Sequence, residues 1–175
     1  MNFVWPLAEP PDLDAIPAGY LYGAQRSDHI HQGLDMGDVA GQIVVAAARG
    51  TVFQAYTYNA YGGPGIIDID HGESSGVTWR TRYLHVEPAS FSSYGITKGA
   101  PVEAGQPIAT TAPISGPHLH FEVRRCVGTC SIWYSGWEHL DPLEVLPEPG
   151  LAGAGKVLVV AAVAALAIFY FFMRR

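Results

Sequence analysis

A chain of 175 residues holds enough material for one compact domain and a short appendage. All 16 acidic residues precede position 151 against seven basic ones there, a net charge near −9 that argues against a nucleic-acid surface. Seven histidines in so short and acidic a chain direct attention to metal chemistry instead.

Residues 1–27 are rich in proline and glycine and keep no hydrophobic period, which predicts an irregular lead-in. Met1 to Pro6 carry no basic stretch and no long apolar run, so a secretory signal peptide is not expected. From 28 to 146 the chain is broken at short intervals by Gly41, Gly50, the 62–65 cluster, Gly72, Gly76, Gly99, Gly105 and Gly116-Pro117. Between these breaks lie β-branched, aromatic and alternating segments. The pattern predicts an all-β domain of mostly antiparallel strands, sandwich or barrel-like.

Three strands can be phased. Ile67, Ile69 and His71 fall on one face of the first. In Val77–Val86, alternation groups Trp79, Thr81, Tyr83 and His85 against Arg80, Arg82 and Leu84. In His118–Val123, His118, His120 and Glu122 share a face while Leu119, Phe121 and Val123 point the other way. Two imidazoles on a polar face backed by three core residues form a site-like arrangement.

Cys126 and Cys130 lie close together in a glycine-containing stretch, consistent with a local disulfide in an oxidising compartment or with two thiols. Residues 147–156 read as a linker. Val157 to Met173 are 17 uncharged residues, followed by Arg174 and Arg175. As a helix they predict one membrane span, with the aromatic cluster 169–172 at the interface. The basic end would be cytoplasmic and the domain outside.

The chemistry concentrates in five groups. His31-Gln32-Gly33-Leu34-Asp35 places an imidazole and a carboxylate four residues apart, with a glycine between that allows a sharp backbone turn. His118 and His120 stand at strand spacing, and His85 ends another alternating segment. Hydrolytic zinc sites take three ligands of the His, Asp or Glu type and keep a fourth position for water. Nearby histidines outside the coordination set can carry protons or stabilise an oxyanion. Composition alone leaves open which of the five are ligands.

At these positions the sequence resembles the lysostaphin-type and LytM-type peptidoglycan endopeptidases. The matching segments run in family order: His31-x-Gly33-x-Asp35, Ile69-Asp70-His71-Gly72, Thr81 to Val86 with His85, Gly99 with Val102 to Ile108, Ser115 to Val123, and Asp141-Pro142-Leu143. The resemblance covers about residues 20–146. It implies zinc held by His31, Asp35 and His120, with His118 and His85 uncoordinated and serving catalysis. It also implies a groove over the metal and a substrate bond in the stem or cross-link peptides of bacterial peptidoglycan. Arg124 to His139 look like an insertion, whose Trp133, Tyr134 and Trp137 contact sugar or peptide or else pack over a core edge. His29 is a lesser rival ligand; His71 and His139 read as structural.

A non-catalytic peptidoglycan-binding or activator module, or a structural membrane protein of a virion, are the alternatives; retention of all five groups favours an active hydrolase. The absent signal peptide beside a C-terminal anchor points to a lytic enzyme mounted on a bacteriophage virion membrane, or to a bacterial envelope enzyme.

Overall fold

The computed structural model describes residues 1–58, 64–130 and 136–148. Nine strands occur among them: β1 (Leu34–Met36), β2 (Ile43–Val45), β3 (Gly50–Thr57), β4 (Gly65–Ser74), β5 (Val77–Val86), β6 (Pro101–Val102), β7 (Pro107–Thr110), β8 (Leu119–Val127) and β9 (Glu138–Leu140). Seven form one sheet in the order β1-β8-β5-β4-β3-β6, with β9 also on β8, and every pairing is antiparallel. β2 and β7 make a separate two-stranded sheet. The expectation of a mostly antiparallel β domain holds.

Local chemistry explains the central hairpin. Ser74 pairs with Val77, so Ser75-Gly76 form a two-residue loop, and both have positive φ (56° and 78°). That is the turn geometry whose twist suits adjoining strands. Along β8 the phase is as the alternation predicts: Leu119, Phe121 and Val123 are fully buried. They join Ile67, Ile69, Tyr83, Leu34 and Met36 in a core closed from the other side by Val44, Ala46, Ala47, Ile108 and Ala109. Phe3, Trp5 and Leu7 of the irregular N-terminal stretch belong to the same core, as does Leu146. Trp5 Nε1 donates to the Pro147 carbonyl (2.9 Å), tying the two ends of the domain together.

Cys126 and Cys130 are joined in a disulfide, with Cα atoms 6.1 Å apart. The Arg80 guanidinium lies 4.6 Å from the centre of the Trp137 ring and 4.0 Å from that of Phe53. Trp137 thus packs over the sheet; Trp133 and Tyr134 lie outside the described residues.

One expectation is corrected. The fold was to include a single transmembrane helix, and the chain a place in a virion or envelope membrane. Among the described residues no helix is long and apolar enough to cross a membrane. Their helical pieces are three-residue 3-10 turns, about 6 Å each against a hydrocarbon thickness of about 30 Å. Residues 157–173 lie outside the described residues, so the structure supplies no span and the membrane placement is withdrawn.

Candidate metal centre and catalytic groove

Sheet register assembles the centre. Asp35 on β1 sits directly opposite His120 on β8, with Leu34 opposite Phe121 and Met36 opposite Leu119. Because side chains alternate, the same pairing that buries those four apolar residues turns Asp35 and His120 to the other face. Leu84 of β5 flanks His120 from its other side.

His31 reaches the same point from the segment before β1. His31 Nε2 lies 3.1 Å from Asp35 Oδ1 and 3.0 Å from His120 Nδ1, and Asp35 Oδ1 lies 2.7 Å from His120 Nδ1. His31 and Asp35 are only 3% and 5% exposed, a burial that charged or polar groups tolerate only when paired.

The outer atoms of all three are held as well. His31 Nδ1–H donates to the Leu21 carbonyl (2.8 Å), and His120 Nε2–H donates to Glu122 Oε1 (3.2 Å). With those outer nitrogens engaged, each ring turns its other nitrogen toward the shared point, within hydrogen-bond distance of Asp35 in the metal-free protein and placed to take a metal in place of a proton. Asp35 Oδ2 accepts from Arg26 Nη2 at 2.7 Å. Glu122 is itself anchored by Arg124 Nε at 2.9 Å and by His139 Nε2 at 3.1 Å.

Electrostatics follow from this packing. Burial would raise the Asp35 pKa, yet the hydrogen bonds from His120 and His31 override it and hold the carboxyl well below its usual range. Burial would lower His120, but the hydrogen bonds to Asp35 and Glu122 push it up to about 9. Glu122 is held low against its own burial by His120, His139 and Arg124. Two ionised carboxylates thus face the histidine pair, a field that favours a cation. Tetrahedral zinc with bonds of about 2.0–2.1 Å separates its ligand atoms by about 3.3 Å. The observed triangle of two imidazole nitrogens and one carboxylate oxygen is close to that size, and the three residues could hold a metal ion.

Gly33 has a different reason from the one expected. Its φ is not in the left-handed region; instead a Cβ there would lie 2.6 Å from the Phe121 carbonyl oxygen and 2.7 Å from His120 Nε2. The glycine is required by close approach of the His31–Asp35 segment to β8.

His118 precedes β8, its Nδ1–H donating to the Gly116 carbonyl (2.7 Å) and its Nε2 lying 3.8 Å from Asp35 Oδ1. The His85 ring is 4.5 Å from that of His118. Simple alternation had placed His85 with Tyr83, which is in the core. The register shifts between Gly65 and Ile66, so that Leu84 pairs with Ile66 and Val86 with Gly65, leaving His85 as the extra residue of a bulge. Its φ is +63°, a conformation costly for a residue with a side chain. The bulge moves the imidazole off the core face and into the groove, a re-aiming for which such irregularities are suited.

The structure therefore brings all five singled-out residues together. His29 lines the same groove but pairs with Asp28 at 2.6 Å, outside the triangle. The groove encloses about 1020 Å³, with Tyr20, Tyr56, Tyr58, Ile66 and Ile114 among its walls. Arg26, Glu122 and His139 acquire supporting roles that sequence reading did not assign. Glu122 left one signal, its shared parity with His118 and His120, whereas the Leu21 carbonyl and the Arg26 contact left none.

Comparisons with known proteins bear on the fold and the family. No curated protein sequence matches the chain. Among solved structures, the catalytic domain of the antimicrobial peptidase lysostaphin from Staphylococcus simulans is 30% identical, with a TM-score of 0.52 over 75% of this chain and 92% of that one. Against a longer form of lysostaphin the identity is 28% and the TM-score 0.53, covering 87% of this chain and 57% of that one. A zinc-containing peptidase from Vibrio cholerae is 29% identical, with a TM-score of 0.50 over 70% of this chain and 36% of its own. The family model described as Peptidase family M23 matches residues 29–142, which include His31, Asp35, His85, His118 and His120. With most of the chain and the whole residue cluster inside that match, this protein belongs to peptidase family M23.

Proposed function

We propose that the chain is a zinc-dependent endopeptidase that hydrolyses peptide bonds in bacterial peptidoglycan. The observation that carries this reading is the buried triangle of His31 Nε2, Asp35 Oδ1 and His120 Nδ1, whose outward atoms are all engaged by the protein. Such a triangle is preorganised, so little reorganisation accompanies metal binding. Neutral imidazole and carboxylate donors suit zinc, and a three-ligand set leaves one position for reacting groups. Zinc bound there supplies Lewis acidity toward an acyl oxygen or a water.

The remaining roles fall to side chains. With Nδ1–H given to the Gly116 carbonyl, His118 presents Nε2 toward Asp35 as a proton acceptor beside the reacting centre. His85, held against His118 by the bulge, is placed to donate to charge developing on an oxyanion. Tyr20, Tyr56, Tyr58, Ile66, Leu84 and Ile114 give the otherwise polar groove an apolar surface against which an extended peptide can pack. Kinship with lysostaphin and with a zinc-containing peptidase supports the same assignment.

The test is release of new amino groups from purified peptidoglycan by the zinc-loaded full chain, with and without a chelator. Release that the chelator abolishes and added zinc restores is expected. Absence of release from walls of several cross-link chemistries, by folded and metal-loaded protein, would overturn the proposal.

A further inference from the structure

A carboxylate can bind a metal through one oxygen or through both, and the choice decides whether a three-residue site keeps an open position. Asp35 has been given an asymmetric environment. Its Oδ1 faces His31 Nε2 and His120 Nδ1 at 3.1 and 2.7 Å, while Oδ2 turns away to accept from Arg26 Nη2 at 2.7 Å. The carboxylate side chain is 6% exposed, so Oδ2 has little water to satisfy it.

Arg26 is not loosely placed. Gln25 bridges Ile30, and the Arg26 amide donates to the His29 carbonyl at 2.9 Å, closing a tight turn immediately before His31. The guanidinium lies 5.8 Å from the centre of the Tyr20 ring. Its buried Nε has no hydrogen-bond acceptor among the described residues, so Asp35 is the partner that orients the group. The turn that delivers His31 to the centre therefore also delivers the cation that fixes the carboxylate.

We infer that Arg26 is a positioning residue which holds Asp35 as a one-oxygen metal ligand and so keeps the fourth coordination position open. The inference rests on the proposal that His31, Asp35 and His120 hold the metal. Without Arg26, Oδ2 would be released to turn inward and crowd that position, so that Asp35 would bind through both oxygens beside the water and a site of four donor atoms would become one of five. Lysine can still donate one hydrogen bond to Oδ2, whereas glutamine supplies no charge and a shorter reach.

The experiment is titration of the metal-free full chain with Co²⁺, read by visible absorption, for wild type, Arg26→Gln and Arg26→Lys, with zinc affinities from chelator competition. Four-coordinate cobalt absorbs several-fold more strongly than five-coordinate cobalt. Wild type is expected to give the intense spectrum, and R26Q a spectrum several-fold weaker with zinc affinity lower by about 10–100-fold. R26K should return most of the intensity. An R26Q protein with wild-type spectrum and affinity would overturn the inference. R26K matching R26Q in both readouts would also overturn it, since packing on Tyr20 would then be the cause. Wild type that binds no cobalt and no zinc would instead refute the metal assignment itself.

Discussion

Replacing His120 by alanine removes one corner of a triangle in which each atom touches the other two. Two remaining protein ligands hold zinc poorly, so His120→Ala is expected to lose both bound zinc and activity. His85→Ala should behave differently, because the His85 ring lies against His118 at 4.5 Å and edge-on to His120 at 6.2 Å but is not a corner of the triangle. It should keep one zinc per chain while turnover falls by about 10²–10⁴-fold, the range for a lost proton-transfer or oxyanion-stabilising group. Metal analysis alongside turnover separates the two. Stoichiometric zinc in the His120 variant would refute the ligand assignment, and near-normal turnover in the His85 variant would remove it from the mechanism. At this scale much was legible, since His31, Asp35, His85, His118 and His120 all stand out from spacing and motif. Their supports were not. A backbone carbonyl such as that of Leu21 has no identity in sequence, and Arg26 is one arginine among several until the turn at Arg26–His29 is formed.

Strands and loops fix where those residues point. β8 obeys alternation, so Leu119, Phe121 and Val123 enter the core and His120 and Glu122 face the groove. β5 obeys it only as far as Leu84, because the pairing slips against β4 and His85 bulges outward. The slip depends on two strands meeting, and no pattern within Val77–Val86 records it. The disulfide at the end of β8 is an element-scale brace: it closes a short loop from which the chain returns through β9 to bring His139 against Glu122. Closing so short a loop contributes roughly 2 kcal/mol by chain-entropy reasoning. Cys126→Ala with Cys130→Ala should lower unfolding stability by about that amount, measured by urea denaturation against wild type under non-reducing conditions. Equal stabilities would show that the bond contributes nothing to the fold.

At the scale of the whole molecule, a polar path links buried Ala47, Tyr83 and Thr81 to the half-buried His71. The Ala47 amide donates to the Tyr83 hydroxyl (2.7 Å), which lies 3.1 Å from the Thr81 hydroxyl, itself 2.8 Å from His71 Nε2. His71 Nδ1–H donates to the Arg49 carbonyl at 2.8 Å, so the neutral ring accepts at Nε2. Burial lowers the His71 pKa below 6.5, outweighing the opposing hydrogen bond to Arg49 and the charge of Asp70. Below that pH the unfolded chain takes up a proton that the folded one resists. His71 therefore leaves stability intact above pH 6.5 and erodes it as pH falls, by at most about 1.4 kcal/mol per pH unit. Metal-free wild type should lose more stability between pH 7.5 and 5.5 than metal-free His71→Gln, by urea unfolding. Equal losses would show that His71 is not the group responsible.

A mostly antiparallel β domain, five groups that the fold gathers at one groove, and the family were legible in the sequence alone, whereas the transmembrane helix expected from it was not supported. Turn-forming glycines, alternating strands and side chains capable of metal chemistry are local properties, readable without knowing what lies beside them. Tertiary structure decided what depends on distant segments meeting. Asp35 and His120 face one another only because β1 pairs with β8 in one register, and Gly33 is needed only because that pairing leaves no room for a Cβ. The N-terminal stretch looks like a mere lead-in along the chain. In space it contributes Phe3, Trp5 and Leu7 to the core, and Leu21 and Arg26 to the centre, because burying apolar rings and satisfying buried polar atoms are demands of the packed molecule.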